Sequence, residues 1–433
     1  MLKKADGSTL KIALDGFNLA LDKGTGVASY GRNLSHVLKS MGAGVDVLYG
    51  AAIKSSQDDL LKEVMFFDAP PPDGGRIAKA LRMGRSLGVA NRHTAFQVPI
   101  TGAVVTQGFE TRLPRFDRIW NVHRLFDRGM LKFDLLRSLQ RVRLPQTPDL
   151  MHWTYPLPVR VEGAANIYTL HDLVPLRLPY TTLDRKASYL DLMKWIAKTA
   201  DHIVTVSEAS RRDIIELLKV PEDRVTNTYQ AVHVPRALTE RSDDEVADII
   251  GGTFGLEPRR YFLFYGSIEP KKNIGRIVEA FMSSGLGCQL VIVGARAWKS
   301  ANETRLLDAL PGGDRRVVRI EYLPFPMLVN LIRAARAVVF PSLYEGFGLP
   351  VLEAMQLGTP VLASSTSSVP EVAGDAALLV NPYSTEEIGR ALRRLDDDDD
   401  LCAELAARGR KQAEKFSEAA YAERLRSLYQ RLC

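Results

Sequence analysis

The sequence predicts an α/β protein made of two doubly wound, Rossmann-like parallel-sheet domains facing each other across a cleft. Three observations point there. Short apolar runs of strand length alternate with amphipathic stretches of helical spacing along most of the chain, the pattern of right-handed βαβ units. The 433 residues suffice for two or three domains, each able to bury its own core. A charged, weakly periodic passage at 235–259, with one short helix inside, reads as a linker between two arrays of similar size.

Composition narrows the class. With 46% hydrophobic and 25% charged residues, the chain matches ordinary globular proteins and excludes disordered, collagen-like and disulfide-stapled ones. No run approaches the roughly 18 uncharged apolar residues of a spanning helix. Residues 1–11 lack the apolar core and cleavage site of a signal peptide, so a cytoplasmic protein is expected. Cys288, Cys402 and Cys433 form no zinc-like or C-x-x-C spacing and are expected as free thiols.

The first array opens with a strand at 11–15 and a helix at 27–41, where Val27, Tyr30, Leu34, Val37, Leu38 and Met41 recur at helical spacing before Gly42. A second strand follows at 45–49. Regular alternation then lapses over about 66–145, a basic insertion. Between Arg76 and Leu144 there are 14 Lys or Arg against 4 Asp or Glu, an excess of +10 that leaves the rest of the chain at −4. Such a block suits an anionic partner, nucleic acid or a phospholipid surface, or is a solvated basic insertion. Ile77, Leu81, Met83 and Leu87 outline an interfacial amphipathic helix there, weakened by Gly84 and Gly88. Strands resume at 150–153, 166–170 and 202–206, with helices at 189–199 and at 210–219 before Pro221.

The second array has strands at 261–265, 289–293, 317–321, 337–340, 360–363 and 377–380. The domains are therefore drawn as 1–234 and 235–415, with a last amphipathic helix at 416–433 capped by Ser417. In open parallel sheets, ligands sit at the carboxyl ends of strands, so facing domains enclose a site.

The sharpest local feature runs from Phe340 to Gly358: strand, glycine loop, short helix. Pro350 suits the first helical position and Gly358 the left-handed position after the last turn. Glu345 precedes the helix and Glu353 lies in its first turn. A carboxylate accepts two hydrogen bonds side by side, so each fits a vicinal diol, and the helix N-terminus between them favours a phosphate. Sugar, phosphate and sugar in sequence describe a nucleotide-sugar. The plainer alternative is that Glu345 caps the helix and Glu353 stabilises its dipole.

This run resembles the Glu-x7-Glu signature of the family-4 retaining glycosyltransferases of the GT-B fold. Tyr265-Gly-Ser-Ile-Glu-Pro-Lys-Lys-Asn273, Leu290-Val-Ile-Val-Gly294 and Ser367-Ser-Val-Pro-Glu-Val-Ala-Gly-Asp-Ala376 stand around it in the family's order. The likeness holds from about 150 to the end, is thinner over 15–42 and is absent over 66–145. It implies that Glu345 contacts the donor sugar, Glu353 the ribose diol, and Lys272 the departing diphosphate, with Lys271 a solvent-exposed neighbour. It implies further donor contacts at Gly266, Ser267, Gly294, Leu323, Gly346, Phe347, Gly348 and Leu349. Tyr168-Thr-Leu-His171-Asp172 resembles the family's strand-end histidine motif, so His171 is expected to face the transferred sugar and Asp172 to orient its loop, although a lone histidine after a strand is commonly structural. The Gly24 and Gly26 turn resembles the one near donor phosphate and acceptor. The final helix is expected to cross back onto the first domain. One departure stands out: Ser267 occupies a position where many members have arginine, so that diphosphate contacts are either fewer or supplied by another basic residue, Arg296 or one from the insertion.

Two rival readings fail on spacing. Gly24-x-Gly26 with Asp46 partly imitates a dinucleotide fingerprint, but Ser29 replaces the third glycine and the loop from the strand is too long. The aspartates at 396–400 fall between two helices, where they cap rather than bind metal. The resemblance likewise implies metal-independent catalysis without a cofactor. It implies a hexosyltransferase of surface-polysaccharide synthesis, with GDP-mannose as the first donor expected and a polyprenyl-diphosphate-linked saccharide as acceptor. The basic block at 76–144 would then hold the protein against the anionic inner face of the plasma membrane, with no nucleic-acid partner. The alternative is a noncatalytic nucleotide-sugar or polyanion-binding module on the same fold.

Overall fold

The computed structural model describes residues 2–4, 6–19, 26–68, 92–106, 113–183, 185–297, 303, 305, 308 and 316–433. The first array contributes β1 (Lys11–Asp15), β2 (Gly44–Tyr49), β3 (Arg92–Thr94), β4 (Phe96–Val98), β5 (Arg118–Asn121), β6 (Gln140–Arg143), β7 (Leu150–Trp153), β8 (Val159–Val161), β9 (Ala165–Thr169), β10 (His202–Thr205) and β11 (Val225–Asn227). Eight of them form one sheet, ordered β11-β10-β9-β7-β1-β2-β5-β4, parallel except for β4 against β5; β3, β6 and β8 form a small second sheet. Burial on both faces explains why the central strands read as unbroken apolar runs: Ile12, Ala13 and Leu14 are all inside.

The second array supplies β12 (Tyr261–Tyr265), β13 (Gln289–Val293), β14 (Val317–Ile320), β15 (Ala337–Phe340), β16 (Val361–Ser364) and β17 (Leu378–Val380), all parallel in the order β14-β13-β12-β15-β16-β17. The strand order reverses between β1 and β7 in one sheet and between β12 and β15 in the other, the positions where an open sheet leaves a crevice.

Several expectations need correction. The 235–259 passage is not a loose linker. After the short helix Arg236–Thr239 it holds the 12-residue helix Asp243–Phe254, opened by a full capping box of Ser242 and Glu245. Val246 and Ile250 of that helix are buried in the core. Nor is 66–145 wholly an insertion, because β5 joins β2 in the main sheet and the helix Leu125–Leu136 buries Leu125, Phe126 and Phe133. Several of its basic side chains are already paired, Arg92 with Glu162 at 2.8 Å and Arg118 with Asp46 at 3.1 Å. The helix expected around 77–87 lies outside the described residues, as does Gly24. Pro350 is the second residue of its helix rather than the first, and Glu353 stands in the second turn, because the helix begins at Leu349.

The last helix, Glu418–Leu432, lies against the first helix, Gly26–Ser40, and buries Tyr421, Leu425, Leu428 and Tyr429. The Tyr429 hydroxyl bonds His152 Nδ1 at 2.7 Å, at the end of β7, which anchors the chain terminus to the first domain. Cys288 and Cys402 are buried and Cys433 exposed, all as free thiols.

Candidate active site

At the crevice of the second sheet, the segment after β12 turns through Pro270–Lys272 and reaches Asn273, whose backbone is left-handed at φ 65°. The Asn273 amide donates to Pro341 O at 2.9 Å and Pro382 O at 2.6 Å, pinning this turn to the loops after β15 and β17. That placement sets Lys272 Nζ 2.7 Å from Glu345 Oε1 and 4.8 Å from the centre of the Phe340 ring. The Glu345 amide donates to Ser367 Oγ at 2.9 Å, while Ser368 Oγ donates to the carbonyls of Glu345 and Phe347 at 2.8 and 2.9 Å. Gly348, at φ 110°, then swings the chain into the helix Leu349–Gln356, a conformation costly for any residue with a Cβ.

Burial tends to raise the Glu345 carboxyl, but the ammoniums of Lys272 and Lys271 outweigh it and hold the group below the usual carboxylate range. Lys271 is not the solvent-exposed neighbour expected. Its side chain is only 19% exposed. Burial presses its ammonium down, but Glu345, Asp172 and Glu269 together hold it above the ordinary lysine value. Glu353 behaves oppositely: burial raises its carboxyl, only partly offset by the Tyr265 hydroxyl donating to Oε2 at 2.8 Å.

The first domain meets this loop with backbone. A Cβ on Gly346 would stand 2.6 Å from His171 O and 3.1 Å from Asp172 Oδ2, so only glycine permits the approach. Ser210 Oγ bridges the two, 2.9 Å from His171 O and 3.3 Å from Gly346 O. The His171 ring donates from Nε2 to Thr154 O at 2.9 Å, leaving Nδ1 as its acceptor, and burial lowers its basicity. Asp172 accepts the amide of Val174 at 3.0 Å, shaping the loop. Gly26 starts the first helix 3.5 Å, as measured from its would-be Cβ, from Leu349 Cδ1 across the cleft.

Other predicted positions stand around this centre. Gly266, at φ 138°, passes its carbonyl so close to Gly294 that a Cβ there would sit 1.9 Å from it. The exposed Ser267 turns its hydroxyl to Glu269 Oε1 at 3.1 Å. Arg296 pairs with Asp308. Leu323 packs partly buried against the core, and the Phe347 ring is buried against Tyr229 and Phe416, so that only the backbone of 347 faces a ligand position. Sequence reasoning missed Tyr265, Asn273 and Ser368. Asn273 had a visible signal, since asparagine tolerates the left-handed turn before a helix; the other two depend on partners far along the chain.

Lys272, Glu345 and a glycine loop thus stand together at the crevice of one domain, with His171 and Asp172 of the other domain against that loop, the arrangement of a two-domain enzyme with its site at the carboxyl ends of parallel strands. Residues 253–412 match the family model described as "Glycosyl transferases group 1", and residues 24–234 the one described as "Glycosyltransferase Family 4". The chain is 34% identical over 271 residues to O-antigen chain mannosyltransferase B of Escherichia coli, covering 60% of this chain and 68% of that one. It is 29% identical over 273 residues to the serotype-specific mannosyltransferase WbdA of the same species, spanning 61% of this chain but only 33% of that protein. Sucrose-phosphate synthase of Thermosynechococcus elongatus shares the fold, with a TM-score of 0.66 at 19% identity over 98% of this chain and 99% of that one. The chain belongs to the family-4 glycosyltransferases of the GT-B fold and is a glycosyltransferase.

Proposed function

We propose that the protein transfers mannose from GDP-mannose, with retention at the anomeric carbon, to a polyprenyl-diphosphate-linked saccharide in surface-polysaccharide synthesis. The observation that carries this reading is the Lys272–Glu345 pair, 2.7 Å apart at the crevice between β12 and β15 and under the loop that meets His171. The mannosyl relatives support the sugar and the pathway class. When the bond from the anomeric carbon to the diphosphate oxygen breaks, Lys272 faces the growing negative charge. Glu345, kept ionised by its two lysines, accepts from a sugar hydroxyl. The acceptor hydroxyl attacks on the same face and passes its proton to the departing diphosphate oxygen, so no protein nucleophile is needed. Glu353 takes the ribose diol, and the Gly346–Gly348 backbone completes the sugar pocket.

Peripheral contact with an anionic membrane is part of the same reading. Among the described residues no helix is long and apolar enough to cross a membrane. The helix Asp59–Phe67 exposes Leu60, Leu61 and Val64, and Glu63 ties it to the turn at Thr101, beside exposed Ile100 and Val105. This apolar ledge sits next to the basic stretch 76–144 in sequence, the pairing of features that lets a surface insert and be held by charge.

The test is transfer by purified protein, preceded by thermal shift with GDP-, UDP-, ADP- and dTDP-sugars. GDP-mannose should raise Tm most, and Glu345→Ala should abolish transfer while the circular dichroism spectrum is kept. A larger shift with a UDP-sugar would replace the donor, and undiminished transfer by Glu345→Ala would remove the site. In flotation, vesicles with anionic lipid should carry the protein and neutral ones should not; equal recovery defeats the membrane contact.

A further inference from the structure

Behind the donor crevice, at the opposite end of the helix Leu349–Gln356, three potential metal ligands from distant parts of the chain converge. His36 comes from the first helix of the first domain, His233 from the strand-free crossing between domains, and Glu418 from the first residue of the last helix. Their ligand atoms all lie within 4.8 Å of one another. The two imidazole rings are 5.2 Å apart at 40°, and His233 Nδ1 is 2.6 Å from Glu418 Oε1.

We propose that this cluster is a divalent transition-metal site, of the Zn2+ class, that braces the hinge between the domains. Two imidazoles and one carboxylate are the donor set that favours Zn2+, Co2+ or Ni2+ over the oxygen-seeking Mg2+ and Ca2+. Tetrahedral coordination at 2.0–2.2 Å sets ligand atoms about 3.3 Å apart. The His233–Glu418 pair must open slightly and His36 must draw in. The first movement is open to its side chains, since His233 is 47% and Glu418 38% exposed, and His36 is half-buried. The ion takes the place of the hydrogen-bonding proton between His233 Nδ1 and Glu418 Oε1, and the remaining position is left to water.

The surroundings explain why such a site would act on the hinge. His233 and Glu418 line a cavity of about 290 Å³ together with Gln356, Leu357 and Ser417. Gln356 Nε2 donates to Val232 O at 3.2 Å, and Asn33 Nδ2 to Ala231 O at 3.0 Å, so the crossing segment already touches both domains. An ion held by His36, His233 and Glu418 would add a fixed joint among the first helix, the crossing segment and the last helix. It lies about 12 Å of helix away from the Gly346–Gly348 loop, since eight residues rise 1.5 Å each. It therefore takes no part in the transfer step.

The experiment uses the full chain after chelator treatment, titrated with Zn2+ by calorimetry and with Co2+ by visible absorption. One ion per chain should bind with Kd of about 10 μM or tighter, and Zn2+ should raise Tm while Mg2+ does not. His36→Gln and His233→Gln should each weaken binding by about tenfold or more, and Glu418→Gln by less. Cys433→Ser, which removes the exposed thiol, should leave binding unchanged. The proposal is overturned by an absence of saturable Zn2+ binding, by unchanged affinity in both histidine variants with native circular dichroism, or by loss of binding in Cys433→Ser.

Discussion

The two sheets share a topology but fill their crevices differently. Between β1 and β7 the first domain closes its crevice on itself. The fully buried Asp15 accepts the amides of Thr154 and, at 3.2 Å, Phe17, and burial lifts its carboxyl to about 6. Its neighbour on β7, His152, is spanned by Tyr429 and Thr169 at 2.7 Å each and is driven by burial down to about 3. Between β12 and β15 the second domain instead presents Lys272 and Glu345 as an ion pair facing the cleft. The ion pair stands on one wall, while the other wall offers backbone and weakly basic rings. The same reversal of strand order thus holds either a self-contained plug or a cleft-side ion pair, depending on the loops that follow the strands.

The largest test of that contrast is Lys272→Ala. Removing the cation that is hydrogen-bonded to Glu345 should lower kcat by about 10²–10³-fold, measured as transfer at saturating donor. An effect confined to KM would show that the charge binds the ground state and not the departing diphosphate. Gly346→Ala comes next: its Cβ would collide with His171 O at 2.6 Å, so the walls cannot meet as they do now. A loss of about 10²-fold in kcat with little change in Tm is expected, because ångström-scale misplacement is enough for that. Wild-type kcat would mean that this contact is not part of the working state.

The first-domain crevice is sharpened by Asp15→Asn. A folded carboxyl at about 6 keeps its proton where the unfolded one, at 3.8, has lost it. Wild-type stability should therefore fall as pH rises from about 4 to 6 and then level off. The stability of the variant relative to wild type in urea unfolding should therefore rise by on the order of 2 kcal/mol from pH 4 to pH 7; parallel pH profiles would count against a buried ionisable Asp15. The smallest effect is assigned to Tyr265→Phe, which loses one hydrogen bond to Glu353. Donor KM should rise by about tenfold with kcat nearly unchanged. Without that donor the Glu353 carboxyl climbs further, so the acid limb of donor binding should move to higher pH, and an unmoved limb would separate Glu353 from donor recognition.

Much of this arrangement was legible in the sequence. The runs that became β12, β13 and β15 are buried and bounded by turn residues, so their limits coincide with the apolar stretches. The strands β3 to β5 were not legible, because they are three or four residues long, and β3 and β5 open on Arg92 and Arg118. The helix Asp243–Phe254 carries helical spacing in Val246, Ile249, Ile250 and Phe254, but its three acidic residues at the start and two glycines near the end mask it; Ser242 three residues before Glu245 is the capping signal. At the site, Glu345 and Glu353 stood out by spacing and Lys272 through the family likeness. Tyr265 and Ser368 did not, since each acts through a partner fixed only by sheet register or loop packing. Lys271 was misjudged because sequence does not reveal that Glu269, Asp172 and Glu345 surround it.

One further consequence follows from the return of the last helix to the first domain. The polypeptide crosses between the halves twice, once near His233 and again near Ser417, and these crossings lie side by side around Gln356. Two neighbouring pins define a single axle. A swing of one half against the other about that line leaves both connections in place, whereas sliding one half over the other would stretch both of them.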